Sequence, residues 1–394
     1  MSSTTDGEHG GQHGDGQLKA CWTEDALLEE VLCHILESLP DDSVAAAART
    51  CRRWYGCSPP HLRRVLSLPW ACASLAALQW ARLQYDCPWR EVTCVWIARH
   101  GCLEALRWAR ANGCPWDEWT CAAAAQRGHL EVLKWARENQ CPWDEETCAC
   151  AAGNGHLEVL KWAREQGCPW NESTCAMYAA ESGHLDVLKY LQANGCPWDD
   201  QLCTGAAENG HLEVLKWLRA NGCPWDEGTC ASAAGNGHLE ALKWLRANGC
   251  PWDESTCVSA ATDGHLEVLQ WLRANGCPWD ESTCVGAAMN GHLAVLQWAR
   301  ANGCPWDEET CYTAAHEGHF EVLKWAHEQG CPWNEAVCAA AALNGHLEVL
   351  QWLRANGCPW DGRTRTNAER KGQQEATASS KQPFVEKKKT TMLA

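Results

Sequence analysis

The dipeptide Pro-Trp follows a cysteine at Cys87, Cys114, Cys141, Cys168, Cys196, Cys223, Cys250, Cys277, Cys304, Cys331 and Cys358. Every interval is 27 residues except that from Cys168 to Cys196, which is 28. A unit this short cannot bury its own apolar side chains, so each copy must be covered by its neighbours along the chain. The composition carries the same imprint: 26 Trp against 2 Phe, with 28 Cys and 32 Gly, is a bias that an ordinary mixed core has no reason to show.

Cutting after each Trp gives ten units over residues 90–360, with a degenerate capping unit over 71–89 before them. In the unit from Asp117 to Trp143, Asp117 is placed to cap a helix with an acidic first turn, continued by the small residues Cys121 to Ala125 and ended at Gly128. His129 opens a second helix in which Leu130, Val132, Leu133, Trp135 and Ala136 are apolar. That stripe is too wide for a helix with one buried side and predicts packing on both flanks. Asn-Gly-Cys-Pro, the usual break, supplies a left-handed position and then a residue that cannot continue a helix. The expectation is an all-α chain, a solenoid of helix pairs running about 90 Å at 8–10 Å per packed layer. The extra residue of the 28-residue interval falls near Met177 and Tyr178, in a first helix.

The first 20 residues are rich in Gly, Ser, His and Asp, and residues 361–394 are similarly polar; both read as disordered tails. The run Lys387 to Lys389 reads as a solvated tail in preference to a nuclear signal. No apolar segment precedes Cys21, so the cysteines read as reduced thiols of a cytoplasmic or nuclear chain rather than a secreted disulfide framework. Apolar runs are too short and too often interrupted by charge to span a bilayer. Net charge is -17, and the last 34 residues carry eight Lys or Arg against four Asp or Glu, so the body is more acidic than the whole. An acidic body opposes nucleic acid as a partner.

Three ladders invite chemistry. Cys223, Cys230 and His238 show the spacing Cys-x6-Cys-x7-His found in most units, but structural zinc sites pair cysteines two to four residues apart, and Cys102 stands where the first unit should have its His. The preferred reading is small buried apolar residues, with no metal and no cofactor. Ten near-identical histidines argue for a structural part, because a reaction needs one constellation of several residue types; no catalytic residue is expected. Trp217, Trp244, Trp271 and Trp298 lie on the apolar stripe and are expected in the core; Trp225, Trp252 and Trp279, after Pro in the loop, are expected to be partly exposed. The Asp-Glu ladder, such as Asp226-Glu227, is explained mostly by helix capping.

The segment Gly210-His211-Leu212-Glu213-Val214-Leu215-Lys216-Trp217-Leu218, after Ala206-Ala207 and before Asn221-Gly222, resembles the second half of an ankyrin repeat. Ankyrin repeats usually run 33 residues with a β-hairpin between helix pairs; here Cys-Pro-Trp-Asp-Glu stands in its place, so stacked helix pairs are expected without β-fingers. Residues 21–70, through Leu27, Leu28, Val31, Leu32, Ile35, Leu36, Leu39, Pro40 and Val44 to Cys51-Arg52-Arg53-Trp54, are similar to an F-box, with a divergent helical cap on the solenoid as the alternative. The resemblance implies docking on a Skp1-type adaptor. Chains combining these modules occur in eukaryotes and in their large DNA viruses.

Units differ mainly in the first helix, which lines the concave surface of ankyrin-like stacks. Trp96, Trp119, Arg127, Met177, Tyr178, Val258, Thr262, Met289, Tyr312 and His316 are therefore the expected partner-binding residues. The resemblances together imply a non-enzymatic scaffold, monomeric by itself, that serves as substrate receptor of a cullin ubiquitin ligase. The alternatives are a plain binding scaffold without ligase recruitment and a metal-binding or redox protein using the Cys ladder.

Overall fold

The computed structural model describes residues 71–85 and 89–370. Of the expected disordered tails 1–20 and 361–394, residues 1–20 and 371–394 lie outside the described residues, as does the F-box-like segment 21–70. All regular structure among the described residues is helical. After a 3₁₀ turn at Ala71–Ala73 come α1 (Leu75–Tyr85), α2 (Glu91–Arg99), α3 (Leu103–Ala111), α4 (Glu118–Gln126), α5 (Leu130–Glu138), α6 (Glu145–Gly153) and α7 (Leu157–Glu165). These are followed by α8 (Glu172–Glu181), α9 (Leu185–Ala193), α10 (Asp200–Glu208), α11 (Leu212–Ala220), α12 (Glu227–Gly235), α13 (Leu239–Ala247), α14 (Glu254–Thr262) and α15 (Leu266–Ala274). The last are α16 (Glu281–Met289), α17 (Leu293–Ala301), α18 (Glu308–Glu317), α19 (Phe320–Glu328), α20 (Glu335–Asn344), α21 (Leu347–Ala355) and α22 (Gly362–Arg370). From α2 on, even numbers are the first helices of units and odd numbers the second.

The chain divides into two compact units, one ending at Asn171 and one starting at Glu172. The division adjoins the 28-residue interval, whose extra residue lies in α8: the stretch from first helical residue to turn glycine is one longer at Glu172 to Gly183 than at Glu118 to Gly128. Within each unit, successive first helices pack closely on one another, whereas successive second helices barely touch. Side-chain size explains the difference. First helices bury Cys230, Ala233 and Ala234 in α12 or Cys257, Ala260 and Ala261 in α14, so their backbones approach closely. Second helices bury larger residues, such as Val268, Leu269 and Leu272 in α15, completely or nearly so. Truncating one of these leucines to alanine costs about 2–5 kcal/mol in a packed core.

Side-chain capping starts many of the first helices. Asp144, Asp226, Asp253, Asp280, Asp307 and Asn334 take extended backbone and accept a hydrogen bond from a first-turn amide. Asp117 departs from expectation: it holds the N-cap position, but its side chain accepts no cap bond and its Oδ1 is buried without a partner. Burial, then Glu118 and Glu91, push that carboxyl above its usual range.

The histidines that open second helices tie units to the ones before, as at His129, His238 and His319. His238 Nε2 donates to the Glu208 carbonyl at 3.0 Å, across 30 residues, and its ring lies where a Cβ on Gly210 would come within 2.6 Å. Gly210 has φ of 71°, so glycine is required there twice, by conformation and by the ring. The same contacts join His129 to Arg99 and Gly101, and His319 to Met289 and Gly291.

The expected boundary at 361 comes one helix too early. Gly362–Arg370 forms α22, packed on α20; Asp361 Oδ1 accepts from the Thr364 amide at 3.0 Å, and Thr364 is buried. Asp361-Gly-Arg-Thr364 repeats the Asp-x-x-Thr start of α4, α6, α12, α14, α16 and α18, a signal masked by the loss of the Cys and His that follow in them.

Two substitutions test this construction. Gly210→Ala drives a methyl into the His238 ring and should lower unfolding free energy by more than about 2 kcal/mol. Gln140 is the one non-glycine with positive φ among the described residues, at 65°. Gln140→Gly should raise stability by about 0.5–1 kcal/mol, the left-handed strain removed less the added chain entropy. Urea unfolding followed by helical circular dichroism reads both signs.

Candidate protein-interaction face

The surface of a first helix is set by its three- and four-residue spacing. Buried positions, such as Thr283, Cys284, Ala287 and Ala288 in α16, face the neighbouring helices. The line Glu281, Val285, Met289 faces outward, and Met289 is 43% exposed. Equivalent lines are Glu254, Val258, Thr262 in α14 and Glu308, Tyr312, His316 in α18. The Tyr312 and His316 rings stack at 5.9 Å. Gly286 lets α16 approach α14, since a Cβ there would lie 2.5 Å from Thr262 Oγ1 and 3.2 Å from the Val258 carbonyl. In the unit from Glu172 on, the structure thus brings Val258, Thr262, Met289, Tyr312 and His316 onto three consecutively packed helices.

The other residues expected to bind partners are placed elsewhere. Trp96 is half-exposed on α2, with the Arg99 guanidinium 5.4 Å over its ring and His100 stacked at 6.4 Å. Trp119 on α4 is 47% exposed, and Arg127 follows that helix, also exposed. Met177 and Tyr178 are half-buried on α8. Sequence reasoning missed Val92, 41% exposed, which holds in α2 the place that Trp119 holds in α4. Their shared position, three residues after the loop Trp, was the available signal.

The tryptophan ladders correct one expectation. Trp217, Trp244, Trp271 and Trp298 are half-buried, not core; the fully buried residues of those helices are their leucines. The splay of the second helices leaves a gap that one leucine row cannot fill, and the loop tryptophans enter it. Trp279 lies between Arg273, whose guanidinium is 4.0 Å over its ring, and Trp298, met edge-on at 5.9 Å and 67°. Arg273 also donates to the Cys277 carbonyl that precedes the loop Pro. The motif recurs as Arg246, Trp252 and Trp271, and as Arg300, Trp306 and Trp325. Where His327 replaces the arginine, it stacks on Trp333 at 3.7 Å and 14°, so the flat contact is kept. Cation–π contacts of this kind contribute about 0.5–2 kcal/mol each.

Cysteine partners differ from the nearest spacing in the sequence. Cys223, Cys230 and His238 do not gather as a site; Cys223 Sγ donates to the Asp199 carbonyl at 3.2 Å, and its thiol hydrogen-bonds Cys203, on the first helix of its own unit. Cys250 pairs likewise with Cys230, and Cys277 with Cys257. The thiol–thiol hydrogen bond, then burial, push Cys223, Cys250 and Cys277 far above the ordinary thiol range. Among the described residues no three His, Cys, Asp or Glu side chains gather as a metal site, and no helix is long and apolar enough to cross a membrane.

A stack of short helix pairs whose outward lines vary while its interior repeats is a helical-repeat interaction protein. Comparison with known families makes this specific. Residues 120–201 match the family model of ankyrin repeats in three copies, residues 311–354 that of ankyrin repeats in many copies, and residues 29–69 that of F-box-like segments. This is an ankyrin-repeat protein with an N-terminal F-box-like segment. Among similar solved structures is the human ASB11 ankyrin repeat domain, 19% identical, with 40% of this chain and 84% of that one covered and a TM-score of 0.34. No curated protein matches the chain.

The thiols carry a prediction. Burial, then Glu146 and Asp144, push half-exposed Cys150 up to about 12, so at pH 8 it is a thiol and reacts slowly. Its labelling rate with an uncharged disulfide reagent should rise about tenfold per pH unit between 7 and 9, as the thiolate fraction does. Cys203, Cys223, Cys230 and Cys250 should stay unlabelled by mass spectrometry until urea unfolds the stack.

Proposed function

We propose that this interaction scaffold is the substrate receptor of a cullin ubiquitin ligase, the F-box-like segment docking on a Skp1-type adaptor while the ankyrin repeats hold a target protein. One observation carries the reading: a match to F-box-like segments at 29–69 stands on the same chain as ankyrin-repeat matches within 120–354. Val31, Leu32, Ile35, Leu36, Leu39, Pro40, Val44 and Trp54 fall inside the F-box-like match, and Leu27 and Leu28 just before it. They are the proposed adaptor contacts and lie outside the described residues.

No bond is made or broken by this chain in such a role. Its part is to raise the effective concentration of a target beside the ligase. Both matched families are interaction modules, and the varying first-helix lines, with Trp119 and Met289 exposed, suit a surface that reads one partner. Trp96, Trp119, Arg127, Met177, Tyr178, Val258, Thr262, Met289, Tyr312 and His316 are the proposed contacts to targets. A chain working in this way belongs in the cytoplasm or nucleus, where the adaptor is found.

Capture on an immobilised Skp1-type adaptor tests the assignment. The intact protein should be retained, and a chain starting at Ala71, or full-length Leu36→Asp with Leu39→Asp, should be lost. Equal retention, or no retention of any of them, would leave a binding scaffold without ligase recruitment.

A further inference from the structure

The helices α14, α16, α18 and α20 contain no Lys or Arg, and each begins with an exposed glutamate: Glu254, Glu281, Glu308 and Glu335. Among the described residues, Glu254, Glu281 and Glu308 have no ion-pair partner. The bases of these units sit on the second helices: Arg273, Arg300 and Arg354 lie over tryptophan rings, and Lys324 is in α19. Charge is thus separated between the two helix rows. One helical turn beyond the glutamates, on the same face, lies the row Val258, Val285 and Tyr312, half-exposed, and one turn further stands exposed Met289. The face therefore offers an acidic row running alongside an apolar one, both crossing the helices.

The spacing of these rows selects an occupant. Packed helices lie about 8–10 Å apart, so each row presents one residue at that interval. A polyproline II chain advances about 3.1 Å per residue with three residues per turn, which places every third side chain on one edge at about 9.3 Å. A β-strand sends the third side chain to the opposite side. An α-helix, rising about 1.5 Å per residue, meets the interval only about every seventh residue. In a polyproline II peptide, one edge can lie along Glu254, Glu281 and Glu308 while the next edge reaches Val258, Val285 and Tyr312.

We infer that the face of α14, α16 and α18 binds a polyproline II segment of a partner protein, with Lys or Arg at every third residue and an apolar residue beside each. This rests on the reading that the repeats hold a protein target, and names the chemistry of that target. The glutamates meet the bases and set the register. The Val258, Val285, Tyr312 row and Met289 cover the apolar edge.

The experiment uses the full chain and a fluorescein-labelled peptide of four Lys-Leu-Pro triplets, with binding read by anisotropy. Two controls have matched length: the same residues with all lysines grouped at one end, and four Glu-Leu-Pro triplets. The periodic lysine peptide should bind at least about tenfold more tightly than either. Glu254→Gln, Glu281→Gln and Glu308→Gln together should remove that advantage, and so should 0.5 M salt. The matched set Glu213→Gln, Glu240→Gln and Glu267→Gln, on second helices, should leave binding unchanged. Equal affinity for the grouped peptide, an equal effect of the second-helix set, or no binding of the periodic peptide would overturn the inference. Helical circular dichroism and the urea midpoint of each variant establish that it is folded. Adaptor capture measured on the same Glu→Gln protein reads ligase recruitment separately, so either result can fail alone.

Discussion

The histidine rings that open second helices, such as His129, His211, His238 and His319, occupy the space where a side chain on the preceding unit's turn glycine would stand, and their Nε2 atoms satisfy a carbonyl near the end of the preceding first helix. Much of the rest depends on this contact. The glycine adopts a left-handed φ that ends the first helix, and so fixes where the second begins. The ring sets the spacing between units at their turn edge. A buried carbonyl without a partner costs about 1–3 kcal/mol, so losing one ring disturbs both units it joins.

With the turn edge held, the small residues of the first helices and the large ones of the second make the two rows unlike. First helices close on one another through alanine, cysteine and glycine; second helices stand apart, and the loop tryptophans, clasped between an arginine and the next helix's tryptophan, fill the opening. This arrangement engages the arginines of the second helices. It leaves the first helices acidic and, at positions not needed for stacking, free to vary. Stacking is thus carried by residues other than the exposed ones of the same short unit, and exposed Met289 and Trp119 need not trade against the core.

The period, the helix pair and the turn glycine were legible in the sequence because each is a local property, set by φ preference, capping and the spacing of apolar residues within 27 positions. What was not legible lies between helices. Cys223 has Cys230 close by in sequence but Cys203 as its partner in space, because the loop cysteine packs under the preceding first helix. Trp271 sits on an apolar stripe, yet the stripe is wider than the core it serves, and Trp271 flanks the loop tryptophan at its edge. Asp361 begins another first helix although the Cys and His of the motif are gone, since an N-cap and a buried Thr364 suffice once a neighbour is there to pack against. Of the expected contact residues, those in α14, α16 and α18 converge because neighbouring units place equivalent positions side by side, a regularity that period alone supplies. Val92 was overlooked because its unit departs most from the pattern.

Stability built this way must grow with the number of stacked units, because each added unit contributes one more interface joined by histidine, glycine and the tryptophan clasp. The most direct test is the urea midpoint of a series of chains shortened from the C-terminal end by one, two and three 27-residue units, each keeping residues 362–370 as the last helix. The account predicts that the midpoint falls stepwise with every unit removed. A midpoint that stays the same across the series would mean that the units fold independently, and would contradict it.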